Sequence, residues 1–310
     1  MRSAAPAITI ALCLCVSARA AFTSNIMLVG YWPPTNDMLR PFSQNPAQNP
    51  SGWTGGNWES RGYNIHSYFP EFPDGGGPGA RGVGDFEVDY QDTDEDFARI
   101  VAELRPVAIL TFSWTAGRQH HNNADWELEA RNRNRSSWLD DYSAPAQPAM
   151  VPPDPTLPAN AERYSSLPMR EIRDAVNAAD VGVSSYIDDY SSTAAGSFLS
   201  EYLAYKALRY HDENSDPAGD AWNIAAGHIH VGQNTTPAAA ALATAVTLRT
   251  LTNYLSDIIG RHPFETNLTD LAGPDIIHQQ ASVPAPAGTL AMMFLVVAHR
   301  RLSRPSDHPR

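Results

Sequence analysis

The sequence predicts a three-layer α/β/α fold built on a mostly parallel central sheet. Short apolar runs alternate along the chain with segments of helical period, which is the pattern of strands joined by crossover helices. Hydrophobic residues make up 43% of the chain, enough for a core on both faces of a sheet. Twenty-five prolines and twenty glycines gather between the periodic segments and mark long surface loops.

The first strand is Ile26-Met27-Leu28-Val29-Gly30, a short buried run ending in glycine. Residues 33–62, rich in Pro, Gly, Asn and Trp, read as a loop. Tyr63 to Phe69 alternates as a second strand, and the six glycines of residues 73–84 make a turn. Asp92 to Leu104 is a helix: acidic residues open it, Phe97, Ile100, Val101 and Leu104 share one face, and Pro106 ends it. Val107 to Phe112 is a buried strand, and residues 140–160, with six prolines, are a loop. The pattern then gives a helix (Leu167 to Ala179), a strand (Val181 to Tyr186), a helix (Ala194 to His211), a strand (Ala225 to Val231) and a long Ala-rich helix (Ala238 to Ile259). In such a sheet, reactive groups belong in loops at the carboxyl ends of strands.

Both ends differ from this body. Residues 1–20 have Arg2, an apolar run from Ala7 to Val16 and an Ala18-Arg19-Ala20 close, the form of a secretory signal cleaved before Ala21. Cys13 and Cys15, the chain's two cysteines, lie inside it, so the processed chain would have no disulfide and no thiol chemistry. Bulky Leu12 and Leu14 before these cysteines argue against a lipoprotein signal. At the other end, Val283-Pro284-Ala285-Pro286, an apolar run from Ala287 to Ala298 and His299-Arg300-Arg301 follow one another. This end resembles the PEP-CTERM sorting tails of Gram-negative bacteria, although Ala285 stands where those tails usually carry Glu. The expected organisation is therefore a signal (1–20), one α/β domain (21–260), a spacer (261–282) and a sorting tail (283–310), with export to the bacterial cell envelope or beyond. The chain is −12 overall, and Arg2 and Arg19 at one end, with four arginines against one aspartate at the other, leave −17 for the body. Such a body is repelled by nucleic acid and by anionic membranes.

Three residues carry candidate chemistry. Ser200 lies just inside a helix start, after the small Ala195 and Gly196, where backbone N–H groups could serve an oxyanion. His230 sits at a strand end in Gly227-His228-Ile229-His230-Val231, placed to act as a general base. Glu127, in Asp125-Trp126-Glu127-Leu128-Glu129-Ala130-Arg131-Asn132, could orient that histidine. Each residue also has a plainer reading: a serine near a helix start, a satisfied core histidine, a solvated acidic loop. Strand alternation puts His228 and His230 on one face, a pair that could hold a metal, but the sequence shows no convincing third ligand.

Six elements in order tie the three together. The chain reads Gly30-Tyr31-Trp32-Pro33-Pro34, Asn49-Pro50-Ser51-Gly52-Trp53, Ala116-Gly117-Arg118, Glu127-Leu128-Glu129-Ala130-Arg131-Asn132, Ala195-Gly196-Ser197-Phe198-Leu199-Ser200-Glu201 and Gly227-His228-Ile229-His230-Val231-Gly232. These resemble the G-F-x-P-F, N-P-S-W, A-G-G-R, E-x-x-A-x-N, A-G-x-Y/F-x-C-N and G-F-I-H-V-P elements of the cysteine-type pyroglutamyl peptidases (pyrrolidone carboxyl peptidases). Tyr164-Ser165-Ser166-Leu167-Pro168 is similar to the segment before that family's penultimate strand. The resemblance spans roughly residues 25–260. It implies a phosphorylase/hydrolase-like sheet and gives Glu127, Ser200 and His230 the acid, nucleophile and base positions.

The departures bear on substrate more than on fold. Serine replaces the family's cysteine, and a hydroxyl needs a stronger base and oxyanion site than a thiol. Pro34 replaces an aromatic near the substrate pocket, while Tyr31, Phe198 and Leu199 could supply its apolar walls. Glu201 replaces Asn beside the nucleophile. The resemblance implies a hydrolase that removes N-terminal pyroglutamate or a related group from peptides, with no metal or cofactor. A non-catalytic ligand-binding homologue is the alternative, and an envelope structural protein a more distant one. The expected partners are a peptide substrate and the machinery that processes the tail.

Overall fold

The computed structural model describes residues 23–33, 35–73, 75, 79–115, 123–189 and 196–261. The expected signal, the Ala116-Gly117-Arg118 element, Pro34, Ala195 and the expected tail lie outside the described residues.

The described chain forms a three-layer α/β/α domain, as its pattern predicts. β1 (Asn25–Val29), β2 (Asn64–Tyr68), β3 (Ala108–Thr115), β4 (Asp125–Glu129), β7 (Ser184–Asp188) and β8 (Ala225–Gly232) make one six-stranded sheet in the order β2-β1-β3-β8-β4-β7. Every neighbouring pair is parallel except β4 against β8. A separate two-stranded ribbon joins β5 (Arg131–Arg133) and β6 (Glu162–Tyr164).

Strand alternation divides the core in two. Ile26, Leu28, Leu110, Phe112, Trp126, Leu128, Ile229 and Val231 face the layer holding α1 (Thr35–Leu39), α3 (Met169–Ala179) and α5 (Pro237–Arg261). Met27, Val29, Ile109 and Ala226 face α2 (Tyr90–Leu104) and α4 (Leu199–Glu213), where Phe97, Ile100, Leu199, Tyr202, Leu203, Ala207 and Leu208 meet them. α2 starts cleanly because the Asp89 side chain accepts the free N–H groups of Gln91 and Asp92.

Four readings from sequence need correction. α1 stands inside the stretch 33–62 that reads as loop. The strand placed at 181–186 runs from Ser184 to Asp188: Asp180 and Gly182 take left-handed backbone (φ +48° and +85°), so the Val-Gly-Val run is a turn whose valines pack on the core. α4 begins at Leu199 and not at 194, since Phe198 is fully extended (φ −120°, ψ −173°). Most consequential, Glu127 is not in a loop after β3 but at the centre of β4, a strand buried at every position.

Candidate active site

The same face of the sheet that carries Met27, Val29, Ile109 and Ala226 turns polar toward the carboxyl ends of β3 and β8. The register aligns two rows across four strands. One row is Thr111, His228, Glu129 and Asp188; the next is Ser113, His230, Glu127 and Tyr186. Because side chains alternate along each strand, both rows point the same way, toward α4. α4 returns to the start of β8, so its first turn lies over the ends where these rows sit.

Cross-strand pairing sets Glu127 directly opposite His230. His230 Nδ1 lies 3.6 Å from Glu127 Oε2, with the two side chains 6% and 1% exposed. The structure thus brings Glu127 and His230 together. The other ring nitrogen, Nε2, lies 3.4 Å from Glu129 Oε1, so the imidazole stands between two carboxylates. His228 is hydrogen-bonded at both ends, Nδ1 to Thr111 Oγ1 at 2.7 Å and Nε2 to Ser113 Oγ at 2.9 Å. The two imidazoles meet edge to face, their centroids 4.6 Å apart.

Ser200 is the second residue of α4 and is half-buried. The first bond of this helix runs from Tyr202 N–H to Phe198 C=O at 3.1 Å, which leaves the N–H groups of residues 199–201 outside the helical ladder. Ser200 joins the polar rows through its neighbour. Glu201 is buried; its Oε2 accepts from Asn132 Nδ2 at 2.9 Å and its Oε1 from the Arg133 N–H at 3.2 Å. The same Asn132 nitrogen donates to Glu129 Oε2 at 2.8 Å, so one amide bridges two buried carboxylates.

Burial and mutual charge set the protonation of this cluster. Burial raises the Glu201 carboxyl, helped by the charge of Glu129, to about 8, against the opposing hydrogen bonds of Asn132 and Arg133. Glu129 is raised too, by burial first and by Glu127, with His230 pulling the other way. Burial and the neighbouring His230 hold His228 well below the ordinary imidazole range, so it is neutral at neutral pH. The Tyr186 phenol is raised by burial and by Glu127.

The three expected pocket residues part company. Tyr31 and Leu199 are core side chains, 2% and 1% exposed, and the Tyr31 hydroxyl is 3.1 Å from Thr93 Oγ1. Phe198 is half-buried and stacks on Trp32 (centroids 6.2 Å apart, planes at 16°) with Tyr142 against it at 5.9 Å. It lines an open cleft of about 570 Å³ with Trp138, Leu139, Asp140 and Tyr142.

Reasoning from sequence missed Glu129, Asn132, Thr111 and Ser113. The signal for Glu129 was present: Asp125-Trp126-Glu127-Leu128-Glu129 alternates with the period of a strand.

The chain matches no protein-family model and no curated protein sequence. Among solved structures it is similar to the pyrrolidone carboxyl peptidase of Thermococcus litoralis, with a TM-score of 0.52 and 15% identity over 76% of this chain and 96% of that one. It is likewise similar to the pyrrolidone carboxyl peptidase of Pyrococcus furiosus, with a TM-score of 0.51 and 14% identity over 74% of this chain and 99% of that one. The likeness establishes the fold, an α/β architecture shared with the pyrrolidone carboxyl peptidases.

Proposed function

We propose that this chain is a pyroglutamyl-peptidase-like hydrolase that cleaves an amide next to an N-terminal pyroglutamyl or related group of a peptide. The observation that carries the reading is the Glu127–His230 pair on adjoining strands, in a cluster to which the first turn of the Ser200 helix is tied through Glu201, Asn132 and Glu129.

Ser200 Oγ would attack the amide carbonyl carbon while His230 Nε2 takes the hydroxyl proton. Glu127 would hold the Nδ1–H and stabilise the imidazolium. The N–H groups at the start of α4 would receive the negative oxygen of the tetrahedral intermediate. His230 then returns the proton to the departing amine, leaving an ester on Ser200 that water hydrolyses by the same two steps. For this, the Ser200 hydroxyl must reach the Nε2 that faces Glu129 Oε1 at 3.4 Å. The Phe198 face and the cleft beside it would take the apolar part of the substrate.

The reading includes export through residues 1–20 and retention or processing through residues 283–310, giving an envelope or released bacterial protein. A tail-deleted chain that stays associated with cells would end that part of it.

The decisive measurement is turnover of a pyroglutamyl-amide reporter and labelling by a serine-reactive fluorophosphonate, each compared with Ser200→Ala. Loss of both in the variant, by a factor of about 10³ or more in turnover, is the expected outcome. Activity that survives Ser200→Ala would sink the serine mechanism. Tight ligand binding without turnover would favour a binding protein on the same fold.

A further inference from the structure

The polar rows hold more ligating groups than a serine triad uses. Glu129, His228 and His230 each offer one ligand atom, and these atoms all lie within 4.8 Å of one another, with all three residues buried. From the sequence, the histidine pair lacked a third ligand; β4 supplies it. We propose that Glu129, His228 and His230 form a binding site for a divalent transition cation of the zinc type.

The geometry argues for it in four ways. First, two ligands of one tetrahedral ion, each at about 2.1 Å, stand about 3.4 Å apart. The distance between His230 Nε2 and Glu129 Oε1 is 3.4 Å. Second, Glu129 Oε1 is buried without a hydrogen-bond donor, and the donor Asn132 serves the other oxygen, Oε2. The neighbour of Oε1 is the His230 imidazole at 3.4 Å, and a cation between the two would serve both. Third, each histidine has a polar group facing its other ring nitrogen, where a metal-binding imidazole has its outer partner. The Thr111 hydroxyl donates toward the Gly227 carbonyl at 3.4 Å and so accepts from His228 Nδ1–H at 2.7 Å, which makes Nε2 the acceptor of the Ser113 hydroxyl at 2.9 Å, a bond that a cation would displace. At His230 the Glu127 carboxylate faces Nδ1 at 3.6 Å, an ion-pair distance, and Nε2 faces Glu129. Fourth, the donor set of two imidazoles and one carboxylate suits zinc and its neighbours and not calcium or magnesium, which take oxygen ligands. Ser113, at 2.9 Å from His228 Nε2, borders the remaining position.

The ion and the serine reaction would share one nitrogen. His230 Nε2 cannot both ligate a cation and take a proton from Ser200, so the cation would inhibit Ser200-dependent hydrolysis. The site itself needs no part of the hydrolase reading.

The test uses the full chain, freed of metal with a chelator and titrated with Co²⁺, whose visible absorption reports tetrahedral ligation, and with Zn²⁺ by calorimetry. We expect saturation at one equivalent, displacement of Co²⁺ by Zn²⁺, and unchanged binding in Ser200→Ala. Glu129→Gln and His228→Gln should each weaken binding by at least about 100-fold, since loss of an outer partner alone costs 10–100-fold. Circular dichroism checks each fold, and if one variant unfolds the other decides. Absence of saturable Co²⁺ binding by the native chain, or binding that persists in a folded Glu129→Gln or His228→Gln variant, overturns the site. Failure of hydrolysis alone leaves it standing, because the cobalt spectrum does not depend on turnover.

Discussion

At the scale of single residues, Glu201 shows how a local exchange is absorbed. It stands where the pyroglutamyl peptidase pattern has Asn, and its neighbour Asn132 turns an amide toward it and toward Glu129. In the unfolded chain this carboxyl ionises near 4.5; in the fold it keeps its proton to about 8. Between these values the unfolded state binds fewer protons, so the native state loses stability as pH rises through that window and levels off above it. Glu201→Gln keeps the shape without the titration. Urea unfolding in the presence of chelator should show the variant gaining on the parent from pH 5 to pH 8, and parallel curves would refute the assignment. Phe198 offers a second residue-scale outcome. Phe198→Ala should raise KM for a pyroglutamyl substrate about fivefold with kcat little changed, since a stacking wall contributes binding on the order of 1 kcal/mol. Short motifs single out Ser200, Glu127 and His230 as candidates in the sequence. It could not reveal Asn132 as a bridge, because that role depends on two carboxylates brought in from β4 and α4.

At the scale of elements, β4 is where sequence and structure part. Its alternate residues are acidic, and acidic residues in an Asn- and Arg-rich neighbourhood read as solvated. They are buried because their partners are the histidines of β8, about a hundred positions away along the chain, and no local pattern carries that pairing. The other face of β4 is ordinary core. Trp126 is fully buried, lies 5.7 Å from the Phe112 ring and donates its indole N–H to Thr247 Oγ1 on α5 at 3.1 Å. Trp126→Ala should cost about 3–5 kcal/mol in denaturant unfolding and lower hydrolysis through displacement of Glu127. The strands β1, β3 and β8 and the helices α2 and α5 were legible because their periodicity is set by burial in the chain's own neighbourhood. The start of α4 was not, since the small residues before Phe198 suit an extended approach as well as a helical turn.

At the scale of the whole molecule, the fold was readable from strand–helix alternation, while the reversed direction of β4 and β7 was not. Charge acts at this scale as well. A chain of net charge −12, with carboxylates also at its site, attracts cationic peptides and repels acidic ones. The value of kcat/KM for a pyroglutamyl peptide followed by Lys should therefore fall several-fold between low salt and about 0.15 M, as screening shortens the field to about 8 Å. A neutral analogue should change little; equal salt dependence for both would remove steering from the account.

The pairing of β4 with β8 also bears on how such a site could arise and persist. Both strands repeat their reactive residue every second position. A slip of one residue would turn the carboxylates to the opposite side, against α3 and α5, and destroy the arrangement. A slip of two would set a second glutamate against His230 and keep an acid–histidine couple intact. The strand pair thus contains its own spare, and a lineage could lose one glutamate, or trade one chemistry for another, without first dismantling the sheet.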